Sequence, residues 1–296
     1  MTCKVSIAFH NGKVEFIPLL QNLIKSFLVC NEYPDVELIL VESAGNKDVR
    51  DWFSRIDFGK NFVNFDGTTT SIIKSSKTNI DKTCLFLDFS DDVPWYVCYM
   101  SSLEAASKKA AGEYFVFLAE DNQFVCKGNV IQDYITLLDT VGKESNMINF
   151  TAMQNYKYFK DNNSYSQYQE IENILYFPVH NTKWDPTYLC HRSIYEQLGK
   201  FVLGDEDDPH ATINNFINKS KDLGLKRLYK AIPPSIWFHN DSRAEYIEQI
   251  NKNTLSDPDY ILFTVCDLDE IHSRYTHLRH RPLGTDDMFD RINVPQ

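Results

Sequence analysis

Apolar residues in the first half of this chain alternate between two spacings. Residues 5–9 (VSIAF) form a short, mostly apolar run of strand length, and after HNGK the apolar positions move to Phe16, Ile17, Leu20, Leu23, Ile24, Phe27 and Leu28, the spacing of one helix face. Pro18 falls in the first turn of that helix, where a missing amide is tolerated. Residues 36–41 (VELILV) predict a second buried strand ending at Glu42, and residues 47–53 begin another helix. This strand–helix alternation predicts an α/β fold with a mostly parallel sheet flanked by helices, because parallel neighbours need crossover connections.

The pattern loosens between residues 60 and 95. NFVNF and CLFLDF have strand character, and the polar GTTTSIIKSSKTN between them predicts a mobile surface loop. SSLEAASKKAAG then predicts a helix that stops at Gly112 and feeds a FVFLA strand. A helix over residues 130–138 and a strand over 147–150 follow, and the Tyr-, Asn- and Gln-rich stretch 154–186 reads as an acceptor-facing insertion. After GDEDD, Asp208 is placed to cap a helix with Pro209 at its first position, Ile213, Phe216 and Ile217 on its apolar face and Gly224 at its end. LKRLYKAI predicts one more strand. Residues 1–245 thus read as one domain and 246–296 as a C-terminal helical or irregular extension.

Composition narrows the classes. With 296 residues, 43% of them hydrophobic, the chain buries a large core without help from metals or disulfides. A net charge of −11 argues against a protein that tracks nucleic-acid phosphates. The seven cysteines are scattered, with no CxxC or close Cys/His pair, which predicts reduced thiols and a cytoplasmic protein. No basic, apolar leader precedes VSIAF, and no apolar run is long enough for a transmembrane segment.

The chemistry concentrates in residues 112–124, GEYFVFLAEDNQF, where a strand ends in Glu120, Asp121 and Asn122. Carboxylates at a strand's C-terminal end are well placed to hold a divalent cation over a ligand crevice, although acidic residues are also common turn formers. Asp121 reads as a surface carboxylate that adds little to the core. Phe9, His10 and Glu42 lie at the ends of the first two strands, over the same crevice. Glu42 is placed to accept from a ribose or a uracil N–H, and Phe9 or His10 to pack on the base, with Phe9 otherwise core.

The order of these pieces resembles the GT-A fold glycosyltransferases, family 2-like, over residues 3–245. LILVES with Glu42 matches the second strand with its acidic end, AAGEYFVFLAEDN the helix-to-metal-strand passage, GDEDDPHATINNFI the acidic element before a helix, and SIWFHNDSR the late histidine. Ala119 stands where the family carries the first Asp of its DxD, and the usual Asn of the preceding helix is replaced near Glu104.

The resemblance implies a metal-dependent transferase that moves a sugar from a nucleotide diphosphate sugar, a UDP-sugar foremost, to a saccharide or other hydroxyl acceptor with inversion. It implies Mn²⁺ or Mg²⁺ held by Asp121 and His239, with Glu120 supplementing and Arg243 reaching the diphosphate. The acceptor base would be Asp207 or Glu206. Two other readings stay open. A sugar-phosphate nucleotidyltransferase would carry a glycine-rich phosphate loop where this chain has only HNGK, and a non-catalytic nucleotide- or carbohydrate-binding module of the same shape is compatible with Ala119.

Overall fold

The computed structural model describes residues 3–56, 61–71, 79–89, 93–124, 128–150, 169–171, 174–178, 187–203, 211–230 and 235–237. The chain opens with β1 (Val5–Asn11), a 3₁₀ turn (Val14–Phe16), α1 (Ile17–Cys30), β2 (Asp35–Glu42) and α2 (Lys47–Arg55). A hairpin of β3 (Asn61–Val63) and β4 (Thr69–Ser71) precedes β5 (Asn79–Phe86), α3 (Trp95–Lys109), β6 (Tyr114–Ala119), β7 (Asn122–Phe124), α4 (Val130–Val141) and β8 (Asn146–Asn149). The remaining elements are β9 (Gln169–Ile171), β10 (Ile174–Pro178), β11 (Tyr188–His191), α5 (Ser193–Leu198), α6 (Ala211–Asp222), β12 (Lys226–Lys230) and β13 (Ser235–Trp237).

Nine strands form the central sheet in the order β5-β2-β1-β6-β11-β8-β12-β10-β9. Only β11 and β10 run against the others, so the sheet is mostly parallel. Alternate residues of the inner strands enter opposite cores. Val5, Ile7 and Phe9 of β1 join Val36, Leu38 and Leu40 of β2 and the apolar faces of α1, α2 and α4. Ala8, Ile39, Phe115 and Phe117 face α3, α5 and α6 through Tyr99, Leu103, Ile194, Leu198 and Phe216. Burial on both faces is why these strands read as near-continuous apolar runs.

The structure departs from the sequence pattern in three places. The hairpin takes in part of the polar GTTTS stretch. The third helix begins at Trp95, earlier than SSLEAAS, because Tyr99 and Met100 of WYVCYM pack on the sheet with Leu103 and Ala106. Within the supposed insertion, β9 and β10 extend the main sheet beyond β12 by backbone pairing, and β10 (ILYFP) is a short apolar run set among polar neighbours. Residues 204–210 and 238–296 lie outside the described residues, so the Asp208 cap and the C-terminal extension do too. Among the described residues, Cys3, Cys30, Cys84, Cys98 and Cys190 are free thiols, and no helix is long and apolar enough to cross a membrane.

Gly112 locks α3 and β6 onto β1. Its N–H donates to Ser6 Oγ at 2.8 Å, that hydroxyl donates to Glu37 Oε2 at 2.5 Å, and the same carboxylate accepts from Ala111 N at 2.8 Å. A Cβ at position 112 would meet Ser6 N at 2.6 Å and Lys4 O at 2.8 Å, backbone atoms that cannot step aside cheaply.

Glu104 makes a second tie. Buried on α3, it accepts from Phe201 N at 3.0 Å and Val202 N at 2.9 Å and pairs with Lys108, which anchors the chain just ahead of the acidic run at 205–208. Burial pushes its pKa up, but Lys108 and the two amides outweigh that and hold the carboxyl below its usual range.

Gly112→Ala should therefore lower the unfolding free energy by about 2 kcal/mol, the scale of overpacking, as a drop in the urea midpoint. Glu104→Ala should cost about 2 kcal/mol at neutral pH, the scale of hydrogen bonds to a charged group. Because the folded pKa is depressed, this contribution is present above the ordinary carboxylate range and lost as pH falls through the folded value. The gap to wild type should accordingly shrink in acid melts, and a gap independent of pH would show that the charge is not what holds residues 201–202.

Candidate functional site

The C-terminal ends of β2, β1 and β6 meet in register. Asn11 stands opposite Glu42, and His10 lies between Val41 and Ala119. Parallel strands end here together, and beyond such ends an open α/β sheet forms its crevice.

After Ala119 the chain reverses through Glu120 and Asp121 into β7. Asn122 Nδ2 donates back to Ala119 O at 3.1 Å and closes the turn. Phe124 N donates to Ser26 Oγ on α1 at 3.0 Å, while the Phe124 ring packs edge-on against Phe27 at 5.1 Å. β7 is thereby drawn onto α1, and it carries the two acids inward. Glu120 is 4% exposed and Asp121 0%. The expectation of Asp121 as a surface carboxylate is corrected on this point: packing of β7 buries it, so its removal disturbs more than the surface.

Glu42 is wholly buried and turned toward its own loop. Its Oε2 accepts from Asn11 Nδ2 at 2.7 Å, and its Oε1 accepts from Ala44 N at 2.8 Å and Asn46 N at 3.2 Å. Asn46 in turn caps α2 by accepting from Asp48 N at 2.9 Å. Burial, opposed by the bonds from Asn11, Asn46 and Ala44, leaves the Glu42 carboxyl with a raised pKa. Both oxygens are engaged within the protein, so Glu42 shapes the β2–α2 loop directly.

Phe9, expected on a base or in the core, is in the core: it is fully buried, edge-on to Phe27 at 6.0 Å. His10 is 4% exposed, with its ring covered by Tyr99 at 5.3 Å and Phe117 at 5.8 Å, which leaves no open face for a base to stack on. Its Nε2 is 2.8 Å from Ser43 Oγ and its Nδ1 3.6 Å from Glu120 Oε2.

Glu206, Asp207, His239 and Arg243 lie outside the described residues, yet the segments leading to them are placed. Leu203 N donates to Thr212 Oγ1 at 3.1 Å, which joins the described residues on either side of 204–210. β13 pairs antiparallel with β7, with Trp237 opposite Asn122, so the chain approaches His239 beside the residue that follows Asp121.

The pattern reading missed Ser43, Asn11 and Trp95. Trp95 opens α3, is 57% exposed, and lies tilted 6.1 Å from the Tyr99 ring, which itself contacts His10. The aromatic cluster WYVCY was the available signal, hidden by the late start assigned to the helix.

Among the described residues no three His, Cys, Asp or Glu side chains form a metal-binding group. The adjacent carboxylates of Glu120 and Asp121 instead fit the sparser protein ligation of Mg²⁺ or Mn²⁺, in which one or two carboxylates act together with a substrate's phosphates.

The sequence matches no protein-family model and no curated protein. Among solved structures, S. aureus TarS 1–349 in complex with UDP is similar, with a TM-score of 0.50 and 11% identity over 93% of this chain and 70% of that one. The same fragment in complex with UDP-GlcNAc gives 0.50 and 11% over 93% and 71%. A longer S. aureus TarS structure aligns over 94% of this chain and 43% of its own length, at 10% identity and a TM-score of 0.47, so this chain spans less than half of that protein. The fold of the chain is glycosyltransferase-like.

The raised pKa of Glu42 yields a signed expectation. Stability from a group with a raised folded pKa is present below its unfolded pKa and lost as pH rises through the folded value. Glu42→Gln, which stays neutral and keeps an acceptor for Ala44 and Asn46, should therefore match wild type in acid and equal or exceed it at neutral pH in thermal melts. A Gln variant much weaker at neutral pH would show that the ionised carboxylate is the stabilising form.

Proposed function

We propose that this chain is a metal-dependent glycosyltransferase, family 2-like, that transfers a hexosyl group from a UDP-sugar to a saccharide or other hydroxyl acceptor with inversion. The observation that carries this reading is the buried Glu120–Asp121 turn at the strand-end crevice of a fold shared with UDP- and UDP-GlcNAc-complexed TarS.

In this reading the nucleoside lies over the ends of β1 and β2 and the diphosphate lies toward Asp121. Asp121, with Glu120 and His239, would hold a divalent cation, which when bound would supply charge neutralisation at the leaving diphosphate. Arg243 adds a second positive charge there. Asp207, or Glu206 beside it, takes the acceptor proton, and the residues flanking that run are fastened by the Leu203–Thr212 bond and by Glu104. Ala119, at the position of the family's first Asp, favours one second reading, a nucleotide- or carbohydrate-binding module without turnover. Turnover separates the two.

The test is a panel of nucleotide sugars assayed for Mn²⁺-dependent binding and slow hydrolysis. Asp121→Asn, nearly isosteric for a buried side chain, should abolish metal-dependent UDP binding in calorimetric titration while the circular dichroism spectrum is kept. Unchanged affinity would remove Asp121 from the site. Asp207→Asn or Glu206→Gln should slow transfer by about two or more orders of magnitude for the true base, with UDP affinity retained. Near-wild-type transfer by both variants would remove the acidic run from the mechanism.

A further inference from the structure

We infer that Trp95, with Tyr96 beside it, is the platform on which the pyranose ring of a saccharide acceptor stacks at the mouth of the crevice. This rests on the transferase reading of that crevice, and it narrows the acceptor from any hydroxyl compound to a ring-form sugar. Two observations carry it: where α3 puts the Trp95 ring, and what surrounds that ring.

α3 runs against the strands it covers. Just past its C-terminal end, Ala111 N and Gly112 N donate to Glu37 and Ser6, near the starts of β2 and β1. Near its N-terminal end, the Tyr99 ring lies 5.3 Å from His10 and 5.1 Å from Phe117, close to the ends of β1 and β6. Trp95 comes four residues earlier, roughly 6 Å further along the helix axis, and so stands beyond the strand ends. α3 also shares one face of the sheet with α5 and α6, whereas α1 and α2, whose loops border the nucleoside in this reading, cover the other. Glu104 of α3 holds Phe201 and Val202, and Ile213 and Phe216 of α6 pack in the same core, so the chain enters and leaves residues 204–210 on the α3 face. A proton acceptor within that run serves a hydroxyl that comes in from the α3 side.

Single exposed apolar side chains are ordinary, and Val14, Leu203 and Leu223 are of that kind. Trp95 differs in its company. The Tyr96 ring is edge-on to it at 5.6 Å and the Tyr99 ring tilted at 6.1 Å, and Tyr99 is itself buried against His10 and Phe117. The indole is thus braced from the protein side while 57% of the residue stays open to solvent. An aromatic face is negative, and the C–H groups on one face of a pyranose carry partial positive charge, so the two attract in addition to the apolar area they bury. An acyclic polyol presents no such flat C–H face.

The chain has four tryptophans, so 5-fluorotryptophan labelling gives one ¹⁹F signal for each, that of Trp95 being the one lost in Trp95→Ala. Methyl pyranosides and disaccharides of glucose, galactose, mannose and N-acetylglucosamine are titrated in, with sorbitol as the acyclic control, both with and without UDP and Mn²⁺. At least one pyranoside should shift the Trp95 signal saturably, and sorbitol should not. By calorimetry, Trp95→Ala should weaken binding of that sugar about tenfold or more, the scale of truncating an aromatic anchor, Trp95→Tyr should recover most of the loss, and UDP affinity should be unchanged in both. A panel that leaves the Trp95 signal unmoved, a shift by sorbitol equal to that by the sugars, or sugar affinity that survives Trp95→Ala overturns the platform. A Trp95 signal moved by UDP alone, with UDP affinity falling about tenfold in Trp95→Ala, also overturns it and puts the base there instead. Wild type that binds no UDP sinks the transferase reading, while the sugar titration without nucleotide still decides the platform.

Discussion

Everything in this fold follows from a sheet covered on both faces. β1 lies between β2 and β6 in the middle of the parallel block, with helices packed on either side. No polar side chain can be placed along such a strand without being desolvated, so polar groups gather where the strands end. The few exceptions within the block are paired: Ser6 and Glu37 satisfy each other and the amides of Ala111 and Gly112. That small network also sets where α3 hands over to β6, and hence where Glu120 and Asp121 emerge.

Burial is common to several carboxylates of this molecule, whatever holds them. Glu37, Glu42, Glu104, Glu120 and Asp121 are all buried. Glu37, Glu42 and Glu104 accept from main-chain amides of neighbouring segments and hold turns or loops in place. Glu120 and Asp121 sit in the tight turn between β6 and β7, at the end of the crevice toward which β13 also runs. By accepting those main-chain amides Glu37, Glu42 and Glu104 take part in the fold itself, and Glu42 shapes the loop beside the crevice.

Much of the architecture was legible in the pattern. The positions of β1, α1, β2, α2, β6 and α4 follow from runs of apolar residues of strand length and from apolar residues at helical spacing, because two-sided burial leaves an unmistakable trace. Gly112 was legible as a helix stop, but not as a residue excluded from having a Cβ by the backbone of β1. The start of α3 was hidden because WYVCYM has aromatic and β-branched residues that suit a strand equally well. β9 was hidden because it is only three residues, QEI, and β10 because its apolar run ILYFP is short and sits inside a stretch rich in Tyr, Asn and Gln.

By itself the sequence determined the α/β class, the parallel block, and the acidic turn after β6 as the place to look for chemistry, since these depend on local spacing and on the covalent order of strand and turn. Only the tertiary structure decided which polar residues share a site. His10 and Ser43 are separated by the 3₁₀ turn, α1 and β2 along the chain, yet lie 2.8 Å apart because parallel pairing brings the ends of β1 and β2 together. The burial of Asp121 was likewise decided by Ser26 and Phe27 on α1, which draw β7 inward. Residues distant in sequence acquire a common role only when a register aligns them, and register is a property of the assembled sheet.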